Sequence, residues 1–121
     1  MLKVEVDRRT WLRGEGSRDS FLLRRSDGKM CCLGSVALAL GYTQDQIRGY
    51  TTPSALTDVT KFVDTGFVFK ESTEAGPAPT QTCHDMMKDN DSQNPSYKDS
   101  EREEDLTRFA KKLGIELVFI N

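Results

Sequence analysis

"SDGKMCCLGSVALALG", residues 26–41, decides how the rest of the chain is read. A turn signal, Asp27-Gly28, precedes a run in which Met30, Leu33, Ala37 and Leu40 recur at helical spacing. Cys32, Val36 and Ala39 widen that stripe over most of the circumference, and a helix apolar on most sides is buried on most sides. The spacing predicts a helix over about 29–40, with Asp27 as N-cap and Gly41 as left-handed terminator. Gly34 costs such a helix about 1 kcal/mol relative to alanine, which argues that another backbone packs closely there.

Outward from this helix, "MLKVEV" alternates and predicts a half-buried strand. The loop after it carries one large apolar anchor, Trp11, and "FLLRR" reads as a short strand. "TQDQ" at 43–46 has the capping-box pattern, and Pro53 after a threonine suits the first position of a one- or two-turn helix. "VTKFV" and "GFVFK" read as short strands, and "ESTEAGPAPTQT" as a loop with no face to bury. Thr80 or Thr82 caps a short helix through "CHDMMKD", and Asn90-Asp91 reads as the start of a polar turn. Ser100 with Glu103 forms a capping box for a helix over 100–113, whose buried stripe is Leu106, Phe109, Ala110 and Leu113 and whose stop is Gly114. "IELVFI" is apolar on both faces toward its end and reads as a central strand. The expected fold is α+β in a single domain, 1–121: a small mixed sheet including the N- and C-terminal strands, packed against two main helices, about 29–40 and 100–113.

Bulk properties narrow the function classes. The chain has 121 residues, 36% hydrophobic and 30% charged, enough for one modest core. A net charge of −2 gives no global basic field and argues against duplex nucleic acid as a partner. A local basic surface remains, because six arginines fall between residues 8 and 25 while acids concentrate at 99–105. No apolar run approaches the ~18–20 residues needed to span a bilayer. Three cysteines, two of them adjacent, and no evident secretory leader point to a reducing cytoplasm.

Cys31 and Cys32 have three readings. A thiolate at a helix N-terminus is activated by the dipole, and His84 as base with Asp91 (or its neighbours Asp89 and Asn90) as orienter would complete a cysteine hydrolase. Cys31, Cys32, Cys83 and His84 also sum to four soft ligands, but both pairs are adjacent. Neighbouring helical residues point about 100° apart, so the expectation is no metal and no cofactor. The third reading is core packing, since free cysteine behaves as a small hydrophobe. We assign burial to at least one of the pair.

"WLRGEG…SFLLRRSDGKMCCLG" resembles the start of a loosely related set of small phage and prophage proteins of unknown function, marked by a Cys-Cys-Leu-Gly helix start. "MMKDND…EREEDLTRFAKKLGIELVFIN" is similar to a second stretch of the same set, and together the two cover about half the chain. Relatives in the set often carry a third cysteine shortly after the pair, where this chain has Ala37 and Leu38. The resemblance implies a mobile-element origin and action in the cytoplasm of a bacterial host, and it implies no chemistry.

The remaining signals concern binding. "RGEGS", with Arg13 and Arg18 beside it, has the glycines and amides of an anion-holding turn. Arg13, Arg24, Arg25 and Lys29 are expected to form a positive surface suited to carboxylates or phosphates. The reading is a phage-type accessory protein acting by stoichiometric binding, inhibiting or modulating a host system such as antiviral defence. Its partner would be a host protein or a small nucleotide, without membrane involvement. The alternative is the hydrolase built on Cys31 or Cys32 with His84.

Overall fold

A computed structural model describes residues 1–14, 20–71 and 76–121. Alternation makes Leu2–Asp7 a strand, β1, burying Val4 and Val6 while Lys3 and Glu5 stay exposed. Helix α1, Cys32–Leu40, ends at Gly41, whose φ of 105° turns its amide back to the carbonyls of Ala37 and Leu38. Helix α2, Gln44–Ile47, opens on the expected Thr43–Gln46 capping box, and Pro53 begins a 3-10 turn over Pro53–Ala55. There follow α3 (Thr60–Asp64), β2 (Val68–Phe69), β3 (Ala78–Pro79), α4 (Gln81–Asp91), α5 (Asp99–Lys112) and β4 (Ile115–Ile120). The Thr80 hydroxyl caps α4 by accepting from the Cys83 amide.

The architecture is α+β. β1 and β4 pair in parallel, from Leu2 opposite Ile115 to Asp7 opposite Ile120. β2 and β3 form a separate antiparallel pair of two residues each. α1 packs on β1, and α5 lies between β4 and α4. One apolar cluster joins β1, α1, α4, α5 and β4 through Val4, Val36, Met86, Leu106 and Leu117. Gly34 sits where expected for a close approach: a Cβ there would lie 1.8 Å from the Leu22 carbonyl oxygen.

Several local expectations are corrected. α1 begins at Cys32, with Cys31 as N-cap, because 24–30 is taken up by backbone pairing: Arg24 and Lys29 close a turn, and Met30 bridges Thr10 and Leu12. Asp27 belongs to that turn, where its carboxylate accepts from the Lys29 amide and from Arg24. "FLLRR" makes one isolated bridge, Leu23 to Arg48, and "VTKFV" is helical, started by Asp58 accepting from the Thr60 amide. Of the 71–82 stretch expected to be loop, residues 78–79 form β3 and residues 81–82 begin α4, while 72–75 lie outside the described residues. Asn90 and Asp91 are the last turn of α4. α5 starts at Asp99 without a side-chain cap, since Glu103 is drawn away to Arg8 and Asp99 to Arg13 and Arg102. β4 pairs with β1 alone among the described residues, so it is an edge strand rather than a central one.

Candidate functional site

The three cysteines are free and buried. Cys31 stands at the start of α1, where helix amides favour a thiolate, and the Gly34 amide does pull its pKa down. Burial is the larger effect, and with the nearby Asp91 charge it pushes the Cys31 thiol up to about 12. Burial also raises Cys32 well above the usual thiol range and holds Cys83 at about 12. Each thiol is therefore protonated near neutral pH and shielded from solvent, which works against the nucleophile reading. Among the described residues, no group of three or more His, Cys, Asp and Glu side chains is placed to hold a metal ion.

Asn90 organises this region. Its Oδ1 accepts from Trp11 Nε1 at 2.9 Å and from the Cys32 amide at 3.2 Å. Its Nδ2 donates to the Leu12 carbonyl and to Asp91 Oδ1, each at 3.0 Å. The Cys32 amide is one of the unpaired donors of a helix start, and Cys31 has no side chain able to satisfy it, so Asn90 supplies the cap from α4. Arg102 holds the other side of the same turn. Its guanidinium, 5% exposed, donates to the carbonyls of Asp89, Asn90 and Ser92 and lies 5.0 Å over the Tyr97 ring.

Helix α4 is thereby fixed with two adjacent faces. Cys83, Met86 and Asn90 point into the core. His84, Met87, Lys88 and Asp91, at i, i+3, i+4 and i+7, line a cavity of about 480 Å³ completed by Thr51, Thr52 and Ser92. His84 and Asp91 thus share one cavity, while the Cys31 and Cys32 thiols lie buried and absent from its lining. Asp91 is half-buried and accepts hydrogen bonds from the Ser20 and Asn90 side chains, and its burial raises its pKa. No family model, curated protein or solved structure matches this chain.

The basic residues separate into different roles. Arg13 is committed to the fold: it pairs with Asp99 at 2.9 Å, donates to the carbonyls of Arg8 and Trp11, and stacks 4.5 Å over the Trp11 ring. Arg24 binds Asp27 through two nitrogens at 3.0 and 2.7 Å, with the turn amide of Lys29 on the same carboxylate. Arg25 is exposed and makes no ion pair among the described residues. It lines a cavity of about 260 Å³ with Phe21, Arg24, Ser26 and Gly49, while Lys29 is half-buried and outside that lining. Arg18 and most of "RGEGS" lie outside the described residues.

The residues that the sequence left unmarked are Asn90 as a distant cap, Arg102, and the Met87–Lys88 part of the cavity face. Helical spacing from His84 to Asp91 was the available signal for the last of these.

Proposed function

We propose that this chain is a phage-type accessory protein that acts by stoichiometric binding, inhibiting or modulating a bacterial host system such as antiviral defence. Arg25 is the observation that carries the reading. An exposed guanidinium with no ion-pair partner among the described residues, flanked by Arg24 and the half-buried ring of Phe21, offers planar donors and an apolar floor at one place. Such a pairing suits an acidic patch on a host protein, where a guanidinium desolvated on contact acts as a hot spot. A small nucleotide presents the same acceptor chemistry. The Cys-Cys-Leu-Gly resemblance supports the host setting, and no helix among the described residues is long and apolar enough to cross a membrane.

The test begins with capture from bacterial lysate, identifying both proteins and small molecules by mass spectrometry. Calorimetry with the purified candidate then compares wild type with Arg25→Glu. The expected result is at least tenfold weaker binding with an unchanged melting curve. Equal affinity would move the interface away from this surface. Arg13 is unsuitable for the comparison, because its substitution removes contacts to Asp99 and Trp11.

A further inference from the structure

The cavity between α4 and the Thr51–Thr52 segment has an electrostatic peculiarity. Lys88 and Asp91 stand at i, i+3, a spacing at which opposite charges on a helix commonly pair. They do not pair with each other, and neither has an ion-pair partner among the described residues. Lysine preceding the acid is the weaker orientation for direct pairing, so the two charges stay separate. Among the described residues, the Asp91 carboxylate accepts hydrogen bonds from two neutral side chains, Ser20 and Asn90, while the Arg102 charge also favours its ionised form without pairing with it. A carboxylate has about four acceptor positions, so capacity is left for a donor arriving from the cavity. Burial raises its pKa, and the Ser20 and Asn90 hydrogen bonds and the Arg102 charge offset that rise only in part.

We infer that this cavity binds a free α-amino acid, whose carboxylate meets Lys88 and whose ammonium meets Asp91. The two charged groups of such a zwitterion are attached to one carbon atom and point apart from it, which matches a cation and an anion one helical turn apart. Thr51, Thr52, Ser92 and the His84 ring add hydrogen-bonding groups around the charged pair, and Met87 gives an apolar wall for a side chain. At about 480 Å³ the space falls within the range of small-molecule sites, about 300–1,000 Å³. A simple anion would satisfy Lys88 and be repelled by Asp91, whereas a simple amine would meet the reverse. This site shares no lining residue with the Arg24–Arg25 surface and does not depend on the function proposed there.

The experiment is a calorimetric or NMR titration of the full chain with the twenty amino acids singly, each to 10 mM. The best binder is then compared with its decarboxylated amine and with its N-acetyl derivative. The expected result is saturable binding of at least one amino acid, weakened about tenfold or more by loss of either charge. Lys88→Ala, at an exposed position, should abolish the preference for the amino acid over its amine. Asp91→Asn, which keeps the side chain's shape, should abolish the preference over the N-acetyl form. No saturable binding by any amino acid would overturn the proposal. So would affinity unchanged in Lys88→Ala.

Discussion

At the scale of single residues, one amide ties three segments together. Asn90 satisfies Trp11, the Leu12 carbonyl and the Cys32 amide at once. Asn90→Ala leaves these buried groups without partners, and each such group costs about 1–3 kcal/mol. Urea denaturation should show a loss of about 3 kcal/mol, large for a substitution of this size. The thiols give a second prediction with a definite sign. Folding raises Cys31 and Cys83 from about 9 to about 12, so protonation is favoured in the folded state. The stability they contribute is complete below pH 9 and is lost as pH rises from there through 12. A Cys31→Ala/Cys83→Ala double variant should therefore have lower stability at pH 7 and lose less of it between pH 9 and 11. Ellman's reagent should leave the native thiols of wild type nearly untouched at pH 7 and modify all three cysteines after denaturation.

Elements obey local rules where their partners are local. The apolar stripe and Gly41 of α1, the Thr43 capping box and the Leu106–Ala110 face of α5 are all visible in short windows of sequence. Gly34 is visible too, and its reason is now explicit: alanine would drive a methyl into the Leu22 carbonyl. Gly34→Ala should lower stability by about 3 kcal/mol or more despite alanine's better helix propensity, as thermal melts would register. What could not be read is capping from afar. The cap of α1 comes from Asn90, 58 residues beyond Cys32, and the carbonyls at the end of α4 are met by Arg102 from α5. No window that contains one partner contains the other. The same limit hid half of the cavity: the His84–Asp91 face has helical spacing, but nothing places Thr51 and Thr52 opposite it. The 24–29 turn adds a pH effect of its own. Arg24 first, then the Lys29 amide, hold Asp27 down at about 2, so the turn's stabilisation is present above 3.8 and lost as pH falls through about 2. Amide exchange at Gly28 and Lys29 should accelerate over that window before the rest of the molecule responds.

For the molecule as a whole, the decisive contact is the longest one in sequence. β1 has no strand partner but β4 among the described residues, and the pairing joins residues 2–7 to 115–120. Leu117, buried opposite Val4, should cost about 2–5 kcal/mol when replaced by alanine, and hydrogen exchange should rise in β1 as well as in β4. Vectorial synthesis gives this arrangement a further consequence. β1 leaves the ribosome well before β4 and stays without this strand partner, its Val4 and Val6 uncovered by it, until residues 115–120 have cleared the exit tunnel. At about 5–20 residues per second, that interval lasts several seconds or more. The nascent chain should thus remain open to protease at every length short of β4, then close in a single step. Force measured with an arrest peptide should show one late peak and no earlier one. A chaperone that shelters emerging chains would have its whole period of engagement set by the placement of these two strands.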